Sequence, residues 1–252
     1  MKLSVTIFAV CLSLSSVVAS AESVDELIKR GDQCAQSYQE EAAIDFYLSA
    51  AKHDPKNAYL QVVISREYRH LMSDAGSKGD KLRYAKIALE HALQAAKLGP
   101  TNTEAQLAPA ITYGKILPLT DDSGEKLKVS RKIKSAADRA IALDANNDTA
   151  WHILGCWHRG FAEISGAKRF LGGFIHGDIP ESTFADAAAC FRKAIEINPN
   201  RLMHQVELGR VYCAMGKKSE AKKLIQCALV MTETEKDDPE TKRHGRETLR
   251  KL

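Results

Sequence analysis

The sequence predicts an all-α fold, an elongated α-solenoid of about five helical hairpins followed by a C-terminal capping helix. Two observations predict it: a spaced set of packing residues that recurs along the chain, and helix-breaking turns between the recurrences. The chain of 252 residues carries a formal charge of +4 at pH 7. So small an excess does not indicate a nucleic-acid partner, and the sequence contains no glycine-rich phosphate loop or zinc-finger spacing.

The clearest copy of the packing set begins at Trp151 and continues through Leu154, Gly155, Phe191 and Pro199. In a pair of antiparallel helices, Gly155 allows a close crossing, Trp151 and Phe191 fill the space between the helices, and Pro199 ends the second helix. Residues of these types at these offsets are typical of the tetratricopeptide repeat.

Equivalent small residues recur in the first helix of each predicted unit, spaced 34, 45, 45 and 54 residues apart: Gly31, Ser65, Ala110, Gly155 and Gly209. A spacing of 45 residues adds about three helical turns to the standard repeat, so both helices of a hairpin can lengthen in phase. The predicted repeat domain covers residues 22–252. Its units lie at about 24–57, 58–102, 103–147, 148–201 and 202–235, with the cap at 238–252.

The largest insertion, residues 159–183, combines several glycines with aromatic side chains such as Phe161, Phe170 and Phe174. Because glycine at this density disfavours a regular helix and the aromatics need burial, we expect an ordered excursion packed against the array. The alternative is a mobile loop. If the insertion has a function, we expect it to act as a lid or as an element that contacts a partner.

Residues 1–21 have the pattern of a secretory signal peptide, with Lys2 at the start, an apolar run over residues 3–18, and Ala19 and Ala21 at the end. We expect cleavage after Ala21 and export to the periplasm or the exterior. The alternative is an uncleaved N-terminal anchor. If the segment is not a working signal, the protein would be cytoplasmic and could be associated with microtubules.

Five cysteines follow the predicted cleavage point: Cys34, Cys156, Cys190, Cys213 and Cys227. Each falls in a predicted helix, where a free thiol packs as a small apolar group. An exported chain can also oxidise, so a disulfide between Cys213 and Cys227 remains possible.

The sequence does not predict an enzyme. His152 and His158 lie six residues apart on one helix and face apart, so they cannot chelate one metal ion. No serine or cysteine nucleophile motif is present, and Cys156 beside Gly155 is better explained by packing. We therefore expect no catalytic residues, no metal and no cofactor.

Several segments resemble the C-terminal domain of the regulator of microtubule dynamics family: residues 151–157 with the aromatic insertion, residues 191–199, residues 209–212 and residues 216–221. The likeness covers roughly residues 58–252. It implies a tetratricopeptide-like scaffold with microtubule or organelle-contact roles. An exported chain does not meet tubulin, so we expect a relative that shares the scaffold and not that partner.

Two functions remain open. The first is a non-catalytic adaptor that binds a protein or peptide segment on the concave face of the array. The second is a carrier whose long hairpins and phenylalanine-rich insertion enclose an apolar or anionic lipid-like ligand.

Positions of the first helices that face the concave groove in such arrays carry an excess of positive charge here. The predicted groove residues are Arg66, Arg69, His152, Arg159 and Arg210. The only carboxylates predicted in the groove are Asp25, Asp32 and Glu104, none of them in the units that carry these arginines. We therefore predict an acidic peptide or an anionic headgroup as the ligand.

Overall fold

The computed structural model describes residues 22–164 and 180–252. Within these ranges it contains eleven α-helices, a short 3-10 helix at Leu117–Leu119 and no strand. The helices are α1 (Val24–Gln36), α2 (Glu40–His53), α3 (Ala58–Asp74), α4 (Lys78–Leu98), α5 (Thr103–Ile116), α6 (Ser123–Leu143), α7 (Asp148–Ala162), α8 (Phe184–Ile197), α9 (Leu202–Ala214), α10 (Lys218–Leu229) and α11 (Asp238–Leu249).

Consecutive helices pair into five hairpins, α1 with α2 through to α9 with α10, and the second helix of each hairpin packs on the first helix of the next. The last helix, α11, packs on α9 and α10 and covers the end of the array. This arrangement confirms the predicted all-α solenoid with a C-terminal cap.

Asparagines in the predicted turns start the first helices of three hairpins. The side chains of Asn57, Asn102 and Asn147 accept hydrogen bonds from backbone N–H groups of α3, α5 and α7. Those N–H groups would otherwise have no partner inside the helix. Each of these predicted turns therefore ends one hairpin and supplies the N-cap residue of the next.

Glycine permits the close helix crossings in the first, fourth and fifth hairpins. A Cβ atom added at Gly155 would lie 2.8 Å from the ring of Phe191, and one at Gly209 would lie 2.5 Å from Ile225. Gly31 lies in the same way against Tyr47. Both Tyr47 and Phe191 are fully buried, so the crossing distance depends on the missing side chain.

The tryptophan at the centre of the core is Trp157 and not Trp151. Trp157 is buried against Phe161 and Tyr113, and its indole N–H donates to the Ser130 carbonyl oxygen at 2.9 Å. Trp151 is only partly buried and donates to the Ala145 carbonyl oxygen in the preceding turn. Trp151 packs against the buried cluster of Ala137, Leu154 and Cys190, so it contributes to packing between helices as predicted, although less of it is buried than of Trp157.

All five described cysteines are free thiols, so Cys213 and Cys227 are not joined. In the ranges that the structure covers, no helix is both long and apolar enough to cross a bilayer. Residues 1–21 lie outside the described residues, as do residues 165–179, which form most of the predicted insertion at 159–183.

Candidate binding groove

The concave side of the array holds a cavity of about 1020 Å³, which we call the concave cavity. Its apolar wall comes from α5, α6 and α7 and includes Ile111, Leu127, Ile133, Trp157 and Phe161. Charged side chains of α3, α5 and α7 and of the residues preceding α11 line the rest. A volume of this size suits a compact ligand or a few side chains of a peptide.

Four of the five predicted groove residues line the concave cavity: Arg66, Arg69, His152 and Arg159. Arg210 is not part of its wall and instead forms an ion pair with Glu207 at 2.5 Å. The structure thus brings together the arginines of the second and fourth units, and leaves that of the fifth outside.

The prediction that no carboxylate faces these arginines is wrong. Arg66 pairs with the buried Glu67 at 2.7 Å, and Arg159 pairs with Glu207 at 3.1 Å and with Glu163 at 2.5 Å. Burial would raise the pKa of Glu67, but hydrogen bonds with His70 and Arg66 outweigh it and lower that pKa. Much of the predicted positive charge is therefore neutralised within the protein.

Arg69 differs from the other groove arginines. Its side chain is 7% exposed, and its guanidinium donates only to the hydroxyl groups of Ser65 and Thr112, at 3.1 and 3.4 Å. No carboxylate in the described part of the chain forms an ion pair with it. Burial, followed by the charge of Arg66, lowers the pKa of Arg69 to about 10, so the group is still a cation at neutral pH. Arg69 is a buried positive charge in a cavity wall, a favourable place for an anion.

His152 belongs to a network that the sequence did not reveal. Its Nδ1 atom lies 3.0 Å from Nδ1 of His204, whose Nε2 atom lies 2.8 Å from the Asp148 carboxylate. The same carboxylate accepts a hydrogen bond from Arg201 at 3.1 Å. Asp148 and His152 lie one turn apart on α7. His204 is a whole unit away in sequence, and only the packing of α7 on α9 brings it to them.

Cys156 lies at the other end of this network, with Sγ 3.5 Å from Nε2 of His152. Burial, followed by the charge of Glu207, raises the pKa of the Cys156 thiol to about 12. Burial also holds the pKa of His152 well below its ordinary value, with smaller contributions from His204 and Arg201. Because neither the thiolate nor the imidazolium is favoured, the pair is not activated for nucleophilic chemistry.

The segment that joins α10 to α11, residues 230–237, lies along the concave side and contributes to the cavity wall. We call it the connecting segment. Glu235 pairs with Arg201 at 3.0 Å, and Asp237 pairs with Lys115 at 2.6 Å. Lys236 pairs with Glu40 and with Asp74, the latter at 2.6 Å. Residues 230–235 belong to the predicted fifth unit, and residues 236 and 237 lie between that unit and the predicted cap; no role was predicted for any of them.

One group of side chains has the composition of a metal site. The ligand atoms of Glu40, Glu67 and His70 all lie within 4.8 Å of one another. Cations of the protein already occupy the two carboxylates, because Lys236 contacts Glu40 and Arg66 contacts Glu67. The group is therefore neutralised by the chain itself and does not require a metal ion.

The hairpins, the cap and the concave cavity define the chain as a tetratricopeptide-like solenoid. The model of the family "Regulator of microtubule dynamics protein 1-3" matches residues 23–252. The chain belongs to this family, as the resemblance in its sequence predicted.

Relatives and solved structures agree with this assignment. The "Regulator of microtubule dynamics protein 1" of Mus musculus is 31% identical over 90 residues, which are 35% of this chain and 30% of the relative. The protein of that name from Caenorhabditis elegans is 22% identical over 107 residues, 42% of this chain and 47% of the relative. The matched segments thus span less than half the length of these relatives.

Two tetratricopeptide structures show the fold. A thermophilic TPR protein of Thermus thermophilus superposes with a TM-score of 0.66 at 14% identity, covering 90% of this chain and 99% of that protein. MamA from Desulfovibrio magneticus RS-1, from its residue 41 to its end, gives a TM-score of 0.52 at 12% identity, covering 84% and 96%.

Proposed function

We propose that the protein is a binding scaffold whose concave cavity receives an acidic segment of a partner protein. The observation that carries this proposal is Arg69, a buried cation in the cavity wall without a carboxylate partner in the described residues. An incoming carboxylate would pair with Arg69 in a site that is largely removed from water, where such a hydrogen bond is strong.

The connecting segment supports the choice of an acidic peptide. Its Glu235 and Asp237 already lie in the cavity wall and pair with Arg201 and Lys115. The groove therefore accommodates a non-helical stretch of chain whose carboxylates pair with its cations. A partner segment with acidic side chains and one apolar anchor would use the same cations and the wall around Trp157.

The test is co-purification from the native compartment, with Arg69→Met compared with Arg83→Met. Methionine keeps the length and apolar character of the side chain, and replacing a poorly paired buried charge by an apolar group need not destabilise the fold. Arg83 is an exposed arginine of α4 that pairs with Asp80 and serves as the matched control. We expect partner recovery to fall about tenfold or more in Arg69→Met and to be unchanged in Arg83→Met.

Equal recovery with both variants, each folded as judged by its thermal midpoint, would reject the Arg69 site. A partner retained through Arg69 should also be released as salt is raised, whereas a partner held by apolar contact alone should not.

A second candidate is a lipid-like ligand, favoured by the apolar wall of Leu127, Ile133, Trp157 and Phe161. An acyl chain would pack against this wall while its anionic headgroup pairs with Arg69. Mass spectrometry of organic extracts from the purified protein separates the two candidates. A stoichiometric amphiphile that Arg69→Met releases would support the carrier.

The role named in the relatives, regulation of microtubule dynamics, is open to this chain only if residues 1–21 do not direct export. We propose export, and with it a partner that is met outside the cytoplasm.

A further inference from the structure

The connecting segment links distant parts of the array across its concave side. Lys236 reaches Glu40 at the start of α2 and Asp74 at the end of α3, which are 196 and 162 residues away in sequence. Asp237 reaches Lys115 at the end of α5, and Glu235 reaches Arg201 at the start of α9. Four hairpins therefore hold one short stretch of chain.

Charge, and not apolar burial, holds the connecting segment in place. Val230 is 86% exposed, and residues 232–235 are exposed as well. The carboxylates of Asp74, Asp237 and Glu235 are 58%, 44% and 48% exposed. Such partly solvated ion pairs stabilise weakly and are screened by salt. The pair of Lys236 with Glu40 is less exposed, with side chains 15% and 8% exposed, so loss of the Lys236 charge should release the segment more effectively than loss of the outer pairs.

Both ends of the connecting segment are anchored independently of the groove. On one side α10 packs in the last hairpin, and on the other Lys242 of α11 donates to the Met231 carbonyl oxygen at 2.7 Å. Gly245 places α11 against Ile225 of α10. Between these anchors, the buried Asp238 accepts hydrogen bonds from the backbone N–H groups of Thr234 and Glu235, at 2.8 and 2.9 Å. Opening of the segment must break these two bonds, while α11 still caps the array.

We propose that residues 232–237 form an electrostatic latch, which competes with an acidic partner segment for the concave cavity and opens when Lys236 leaves Glu40 and Asp74. This inference rests on the proposed function, because the latch places Glu235 and Asp237 on the cations that an acidic ligand would use. A ligand that can bind only the open form has an apparent affinity reduced by the fraction of molecules that are open.

The test uses Lys236→Glu, which Glu40 and Asp74 should repel. Lys223→Glu makes the same charge change on the exposed face of α10 and is the control. The probe is a fluorescein-labelled peptide with the sequence of residues 230–240, followed by fluorescence anisotropy. We expect Lys236→Glu to bind the peptide about tenfold more tightly than the wild type, and Lys223→Glu to behave as the wild type.

A second readout reports opening without any ligand. In a Trp151→Phe background, Trp157 is the remaining tryptophan and lines the cavity. Acrylamide should quench its fluorescence more strongly in Lys236→Glu, and adding Asp74→Lys should restore the weak quenching of the closed form. A variant with residues 232–237 replaced by a glycine-serine linker of equal length should also be open, and circular dichroism establishes that each variant is folded.

The outcomes separate the latch from the proposed function. Unchanged quenching and unchanged peptide affinity in both opened variants would overturn the latch. Equally tight peptide binding by wild type and opened variants would overturn the latch while supporting the acidic groove. Increased quenching without peptide binding in the opened variants would support the latch and count against an acidic peptide as the ligand.

Discussion

Hydrogen-bond directions in the network between α7 and α9 follow from its carboxylate. Asp148 can only accept, so His204 donates to it from Nε2 at 2.8 Å. The Nδ1 atoms of His152 and His204 lie 3.0 Å apart, so one of them donates and the other accepts. These bonds connect α7 directly to α9.

This network predicts a pH dependence of stability. His152 is half-buried in the cavity wall, and desolvation holds its pKa well below the ordinary value. It therefore binds no proton in the folded protein near neutral pH, whereas the unfolded chain binds one below a pKa of about 6.5. The unfolded state thus takes up more protons as the pH falls. The free energy of unfolding should therefore decrease below about pH 6.5. Between pH 7 and pH 5, this decrease should be about 1 to 2 kcal/mol smaller in His152→Asn than in the wild type.

Urea denaturation at pH 7 and pH 5 measures this difference, with His53→Asn at an exposed position as the control. Burial also lowers the pKa values of His91 and His158. These two groups contribute equally to the pH dependence of stability in the wild type and in His152→Asn. Parallel losses of stability in wild type and His152→Asn would contradict the assignment of His152 as a neutral group.

At the level of helices, two glycines of α7 differ in how closely neighbouring side chains pack against them. Gly155 faces Phe191, and an added Cβ would lie 2.8 Å from its ring. Among the described residues, no atom lies within 4 Å of a Cβ added at Gly160. We expect Gly155→Ala to destabilise the protein by about 1 to 3 kcal/mol through overpacking. Gly160→Ala should stabilise it by about 0.5 to 1 kcal/mol, because alanine loses less backbone entropy in a helix.

Thermal or urea unfolding of the two variants shows whether each substitution raises or lowers the free energy of unfolding. A neutral or stabilising Gly155→Ala would mean that α7 and α8 can separate without loss, against the role of glycine in the crossing. A destabilising Gly160→Ala would indicate a contact made by this face of α7 beyond the described residues.

Helix-level features were accessible from the sequence because they depend on local chemistry. The glycine, phenylalanine and proline spacing identified the hairpins, and the turn asparagines Asn57, Asn102 and Asn147 became helix caps. The predicted start of the second unit, at residue 58, is also the start of α3. Trp151 and Trp157 could not be ranked in this way, because their burial depends on how α6 and α7 pack.

The candidate site was less accessible, because its charges are arranged by tertiary structure. Positional rules placed Arg66, Arg69 and Arg159 in the groove correctly. They did not identify Glu67 and Glu207 as ion-pair partners, because those pairs depend on side-chain rotamers and on the approach of α7 to α9. The distinction between a neutralised Arg66 and an unpaired Arg69 is therefore visible only in the structure.

Across the whole molecule, the array is closed by contacts that no repeat contains. Each hairpin contacts its neighbours, but the connecting segment joins the second, third, fifth and ninth helices through Lys236, Asp237 and Glu235. The spacing of repeats in a sequence predicts contacts between neighbouring repeats only. A cavity between the array and its own C-terminal segment consequently lies beyond what repeat spacing could predict.

We propose that the N-terminal residues direct export of the protein. Helix α1 begins at Val24 behind the Ser23 cap, and Glu22 pairs with Arg30 at 2.8 Å. We expect the mature protein from the producing cell to begin at Glu22, as determined by N-terminal sequencing, because the small residues Ala19 and Ala21 form a cleavage site. Replacing both alanines by lysine should leave the precursor uncut. Recovery of the wild-type chain with Met1 intact in the membrane fraction would contradict export and restore a cytoplasmic, microtubule-linked role as the leading hypothesis.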